Sequence, residues 1–270
     1  MGNSIEISTK APAGMSQEEW KARQELACAY RLFDHLGWTL MIFNHITLRV
    51  PGEEGRFLIN PFGLMYDEIT ASNLVKIDVE GNILDDSEYP INKAGFVIHS
   101  AVHLSRPDAH AVMHNHTVEG VAVGAQEEGL LPLSMGAIGL HGHVAYHDFE
   151  GISLELGERE RLVNNLGDKN VMFLRNHGLL TCGRTLADAF AHMRTVQLAC
   201  EMQIAAMSGG SRLHLPNKDV MDRMHRQQVQ VAESVGAAHG RNARSDGGTA
   251  QLVWEAMTRR MIRKAPGFLE

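Results

Sequence analysis

The 270-residue sequence is short of cysteine, of aromatic residues and of positive charge, and each shortage closes off a class of protein. Only Cys28, Cys182 and Cys200 occur, an odd and scattered set. They form no disulfide framework, and a reducing cytoplasm is the expected location. Lys and Arg number 25 against 32 Asp and Glu, a net charge of −7. That balance gives neither a nucleic acid nor an anionic membrane any electrostatic support as partner. No apolar run reaches the length of a membrane span, and the opening MGNSIEISTKAPAGMSQ lacks the core of a signal peptide. With Glu6 in place of Ser or Thr it also lacks a myristoylation site. What remains is a globular composition, 44% hydrophobic, long enough for a sizeable core.

The order of elements points to an α/β fold. Ser16 and Glu19 form a capping box before EEWKARQELACAYRLFDHLG, whose apolar residues recur at helical spacing up to Gly37. Short β-like runs follow in NHITLRV, RFLINP and LVKIDVEG. GFVIHSAVHLS and VEGVAVGAQEEG read as helices, HGHVAYHDF as a strand, ERERLVNNLG as a helix, and NVMFLRNHG as a strand running into a turn. TLADAFAHMRTVQLACEMQIAAMSGG is a long helix between Thr185 and Gly209. The expected organisation is a flexible segment 1–15, a main domain 16–234, a polar linker 235–250 and a C-terminal helix and tail 251–270, packed on the body or on a neighbour. Strands and helices alternate irregularly, which predicts a mixed sheet covered by helices and not a strict βαβ repeat.

Histidine is the abundant reactive residue, at 15, and nine fall between His99 and His177. In VMHNHT, residues 112–117, His114 and His116 are two apart at the end of a β-like run, so an extended chain points both to one face. Such a pair is either half of a metal site or two histidines of an ordinary polar pocket. His177, at a strand end before Gly178, is a candidate third ligand or a turn histidine bonded to backbone. In HGHVAYHDFEG an extended chain places His141 and His143 on one face and Tyr146 on the other. These, with Glu119 just after the H-x-H strand, are candidate acid/base groups, against the plainer readings of an exposed edge strand and a helix-dipole partner. His99 and His103, four apart on a helix, have ligand spacing but more commonly would be packed and hydrogen-bonded.

Three stretches in order, residues 43–84, HSAVHLSRPDAHAVMHNHT (99–117) and RNHGLLTCGRTLADAF (175–190), resemble the class II aldolase/adducin family, a likeness extending over about residues 20–210. The resemblance implies a three-layer α/β/α sandwich around a mainly antiparallel sheet, usually a homotetramer. It implies a divalent metal, zinc first and iron or manganese as alternatives, on His114, His116 and His177. Asn44 matches the family's asparagine and Gly63 its phosphate-turn glycine. The resemblance also has gaps. Aligned on His99, the family's Ser-Ser-Glu falls on Lys93, Ala94 and Gly95, so the usual general base is missing, although Lys93 offers a charge for a carboxylate or phosphate. The family's tyrosine falls near Gly136, and the nearest tyrosine is Tyr146. Phe57, Phe62, Tyr66 and Phe149 are candidates for a pocket more apolar than a sugar phosphate would favour.

Three functions follow. The first is a metal-dependent carbon–carbon lyase acting on a small hydroxy-carbonyl or keto-acid substrate through an enolate. The second is a non-haem iron oxygenase on the same scaffold, since imidazole suits iron as well as zinc. The third is a non-catalytic, adducin-like interaction protein.

Overall fold

The computed structural model describes residues 10–151, 156–238 and 248–270. A seven-stranded sheet runs through its centre: β1 (His45–Arg49), β2 (Phe57–Ile59), β3 (Val75–Ile77), β4 (Ala111–Asn115), β5 (Val144–His147), β6 (Val171–Leu174) and β7 (Gly178–Gly183). The spatial order is β3-β2-β1-β4-β7-β6-β5, antiparallel at every pairing except the parallel edge pair β5–β6. Among the described residues, eight α-helices accompany the sheet: α1 (Gln17–His35), α2 (Lys93–Ser105), α3 (Val118–Gly124), α4 (Met135–Leu140), α5 (Leu156–Leu166), α6 (Leu186–Ser208), α7 (Lys218–Ala238) and α8 (Gly248–Lys264).

Alternation along β4 explains the layers. Ala111 and Met113 face the larger core, shared with α1, α6 and α8, while Val112 faces a second core beneath α2 and α5. The sheet is thus apolar on both faces, as the expected three-layer sandwich requires. α1 begins where the Ser16 hydroxyl accepts the Glu19 N–H at 3.1 Å. It ends at Gly37, φ +71°, where the Trp38 N–H reaches back to the Phe33 carbonyl at 2.9 Å in a Schellman closure. α6 is capped by Thr185, which accepts the Asp188 N–H at 3.0 Å.

The C-terminal region departs most from expectation. α7 continues through residue 238 and α8 already starts at 248, so helix occupies both ends of the expected linker; 239–247, like 1–9, lie outside the described residues. α8 packs on the body of its own chain: Trp254 meets Phe190 edge to face at 5.7 Å, and Met261 is buried. The Gln24 amide donates to the Leu269 carbonyl at 3.0 Å, which ties the chain end to α1. α4, α7 and β7 are elements that the sequence reading did not separate.

Two features of this frame can be tested. Arg23, 2% exposed, donates to Glu19 at 2.9 Å, to the Leu74 carbonyl at 2.6 Å and to Asp85 at 3.0 Å, while Lys76 bonds Glu19 at 3.0 Å. Burial alone would raise the Glu19 carboxyl, but the hydrogen bonds from Lys76 and Arg23 outweigh it and hold the group below 4.5. Glu19→Gln should cost about 3 kcal/mol at pH 7, because it leaves buried cations undercompensated. A carboxyl depressed by folding stabilises above its unfolded value and loses that contribution as pH falls through the folded one. Urea unfolding of wild type and variant should therefore converge between pH 7 and pH 3. The second feature is Gly178, where a Cβ would stand 2.1 Å from the Asn115 carbonyl oxygen. Gly178→Ala must part β7 from β4 and should cost at least about 1–3 kcal/mol. Gly157→Ala, with only the tip of Arg161 within 4 Å, should leave urea stability unchanged or slightly raised.

Candidate metal centre and active site

The end of β4 and the turn before β7 bring three histidines together. His114 lies on the α2-facing side of the sheet, and His116 follows on the same side just past the strand. His177 comes from the β6–β7 turn, where Asn176 adopts φ +58°, a conformation that asparagine tolerates better than most residues. Ring centroids are 4.4 Å apart for His114–His116, 4.7 Å for His114–His177 and 4.8 Å for His116–His177. One nitrogen from each lies within 4.8 Å of the others.

The hydrogen bonds suit these rings to a cation. His114 Nδ1–H donates to the Leu179 carbonyl at 2.8 Å, which leaves its Nε2 as a lone pair directed at His116 Nε2, 2.7 Å away. His116 Nδ1 is buried and has no hydrogen-bond partner among the described residues. Burial, reinforced by the neighbouring imidazoles, pushes His114 well below 6.5 and His116 down to about 4; burial also lowers His177. Three neutral imidazoles with converging nitrogens are a donor set that zinc, iron or manganese accepts, so the residues present fit a divalent metal.

A hollow of about 640 Å³ opens over the triad. Leu40, Phe43, Phe62, Val121 and Phe149 give it an apolar wall, and His45, His116 and His177 a polar end. Of the aromatic candidates, Phe62 and Phe149 do line it, whereas Phe57 and Tyr66 are buried in the cores. Neither lysine nor arginine is among the described residues that line it.

His45 is the residue that sequence reasoning missed. Register places it directly opposite His114 across the β1–β4 ladder, with ring centroids 5.0 Å apart. Its ring occupies the space beside Gly95: a Cβ there would stand 2.2 Å from both Cδ2 and Nε2 of His45. The position of the family's missing glutamate is thus filled by an imidazole from another strand. A histidine in the strand-like NHITLRV, alternating toward the same sheet face as His114, was the available signal.

The other expected site residues are placed elsewhere. His141 and His143 do not extend β5: α4 ends at Leu140, Gly142 turns the chain at φ +78°, and β5 starts only at Val144. The two line a separate hollow with Met221, Asp222 and Arg226. The Tyr146 hydroxyl accepts the Leu130 N–H at 2.9 Å, and its ring stacks on Phe173 beneath the Arg175 guanidinium, a structural placement. Glu119 sits half-buried in the first turn of α3, near enough to Cys200 on α6 to contribute to raising that thiol. None of the four lines the hollow over the triad. Lys93 is exposed at the start of α2, outside the hollow, and Gly63, φ +114°, shapes the turn after Phe62. Asn44 is buried, donates to the Trp38 carbonyl at 2.8 Å and keeps Oδ1 unpartnered among the described residues. His99 and His103 are packed and hydrogen-bonded beneath the sheet, outside the metal triad.

Comparison with known proteins agrees with this architecture. The family model described as the Class II Aldolase and Adducin N-terminal domain matches residues 24–204. A Caulobacter vibrioides protein named as a candidate aldolase class 2 protein is 46% identical over 256 residues, 95% of each chain. Alpha-adducin of Rattus norvegicus is 46% identical over 189 residues, which span 69% of this chain and 26% of adducin. A solved aldolase II superfamily protein from Pseudomonas syringae, 45% identical, superposes with a TM-score of 0.86 over 95% of this chain and 98% of its own. The match to the family model spans well over half of the sequence and the seven-stranded architecture accompanies it: the chain belongs to the class II aldolase and adducin family.

Proposed function

We propose that the protein is a divalent-metal-dependent carbon–carbon lyase acting on a small hydroxy-carbonyl or keto-acid substrate. The observation that carries this reading is the convergence of the neutral His114, His116 and His177 at the polar end of a substrate-sized hollow. A divalent ion held by them, zinc in the first instance, would act as a Lewis acid toward a carbonyl oxygen. The chain's own residues bind and orient: the apolar wall takes up a carbon substituent and excludes water from it. With no lysine or arginine among the described lining residues, the hollow suits an apolar keto acid better than a sugar phosphate. The backbone carbonyl of Leu179 fixes the His114 tautomer and keeps a lone pair available.

We also read the protein as a cytoplasmic homotetramer. Leu40, Met41, Phe43 and Phe149, exposed by 46–65%, form an apolar group at and beside the mouth of the hollow, the kind of surface that a second copy covers. An acid/base role for His141, His143, Tyr146 or Glu119 would then be played across a subunit border, because within one chain they stand apart from the hollow. A non-haem iron oxygenase is the second reading, favoured by the same all-imidazole donor set.

Elemental analysis of the purified protein should find about one zinc or manganese per chain, lost in His114→Ala while the circular dichroism of the fold is kept. Chelator-sensitive aldehyde release from hydroxy-ketone or keto-acid substrates should accompany it. Stoichiometric iron with substrate-dependent dioxygen uptake would replace the lyase with the oxygenase. Protein that carries no metal and takes up none on addition would leave an adducin-like scaffold. Sedimentation should give four times the chain mass of 29.8 kDa.

A further inference from the structure

We propose that His45 presents an unprotonated Nε2 to the hollow as the hydrogen-bond acceptor for a hydroxyl group of the substrate, and that His99, Thr47 and His103 are positioning residues that hold it in that tautomer. The substrate class rests on the lyase reading above; the tautomer does not.

One buried chain of hydrogen bonds, followed from its fixed end, determines the tautomer. A carbonyl only accepts, so His103 Nδ1 carries the hydrogen that reaches the Ala109 oxygen at 2.9 Å. A neutral ring has one N–H, which makes His103 Nε2 an acceptor, and it takes the Thr47 hydroxyl hydrogen at 2.8 Å. The hydroxyl has then spent its hydrogen and must accept from His99 Nδ1–H, also at 2.8 Å. His99 Nε2 is left as an acceptor and receives His45 Nδ1–H at 3.0 Å. His45 Nε2 therefore carries a lone pair. His45, His99 and His103 are all buried, and no carboxylate among the described residues bonds to any of them, so each ring is neutral. The chain is held at the His103 end by Phe57, stacked on that ring at 4.6 Å, and by Arg49, which donates to the His103 carbonyl.

The free end faces the site. No hydrogen-bond partner of His45 Nε2 occurs among the described residues, and the ring edge bearing it lies against Gly95, where both residues line the hollow. His45 is absent from the set of three converging ligands, so its lone pair is left for a substrate. A group that donates a hydrogen bond, held beside the triad, is what this nitrogen recognises. A hydroxyl next to a carbonyl or carboxylate meets that description.

The test has two arms on the full-length chain. In metal-free protein carrying 15N-histidine, long-range proton–nitrogen correlation should show His45 in a single tautomer with Nε2 unprotonated. Thr47→Val should let the ring exchange tautomers, and Thr47→Ser should restore the single form, which a merely structural threonine would not require. A protonated Nε2 in the wild type, or a tautomer indifferent to Thr47→Val, overturns the proposal whatever the metal does. In zinc-loaded protein, titration with glycolate and with acetate should show the preference for the hydroxylated ligand falling about two- to tenfold in His45→Leu, the value of one hydrogen bond. Dividing by the same ratio in the variant removes the hydroxyl's own affinity for zinc. An unchanged ratio overturns the acceptor role. Loss of zinc from folded His45→Leu overturns it differently, by making His45 a ligand. Failure of the wild type to bind zinc or manganese sinks the lyase reading, while the tautomer still stands or falls by the first arm.

Discussion

The close approach of β4 and β7 is the constraint on which the site depends. Their ladder sets His114 opposite Leu180 and brings the Leu179 carbonyl within hydrogen-bond reach of the His114 ring. It is possible because Gly178 has no side chain: a Cβ there would meet the Asn115 carbonyl at 2.1 Å and the His116 and His114 rings at 3.0–3.1 Å. On its other side β4 pairs with β1, which sets His45 opposite His114. A one-residue slip in either ladder would carry the histidines to the opposite face, among Leu179, Ile46 and Met113. The apolar cores that penalise such a slip therefore also fix the site, and fold stability and site geometry are one requirement here.

The same pairings account for the contrast between the two ends of the hollow. Behind the triad lies the column His45, His99, Thr47 and His103, packed between the sheet and α2 and hydrogen-bonded link by link. Buried polar groups are stable only when partnered, and removing one member leaves its neighbour unsatisfied at a cost of about 1–3 kcal/mol. That makes the polar end rigid. The mouth is built from Leu40, Phe43, Phe62 and Phe149, whose contacts are non-directional and partly open to solvent. On the proposed reading, the rigid end orients the substrate and the adaptable mouth takes up its carbon chain.

How much of this was legible in the sequence follows from the range of the signals. The Ser16 cap and the long helix from Thr185 are local, and both were readable. The facing of His114 and His116 follows from strand alternation alone. β7 was hidden because GLLTCG is a short apolar run between a turn and a capped helix, without periodicity of its own. His141 and His143 misled because alternation was extended across Gly142, whose positive φ ends any strand entering from that side. His45 was out of reach for another reason: its meaning lies in a register with a strand almost seventy residues away and in the empty space at Gly95, and neither is a local property.

The chain is equally similar, at 46% identity over the matched regions, to a class 2 aldolase-type protein and to alpha-adducin. The energetics of the site speak more directly. A scaffold could fill the space beneath α2 with leucine or valine, which need no hydrogen-bond partners, whereas each buried imidazole there depends on the next link of its chain. His114 and His116 are held with two nitrogens 2.7 Å apart, and His116 Nδ1 is left without a partner among the described residues. The proposed function accounts for this arrangement, since three converging imidazoles with one nitrogen left unpartnered among the described residues are complementary to a cation.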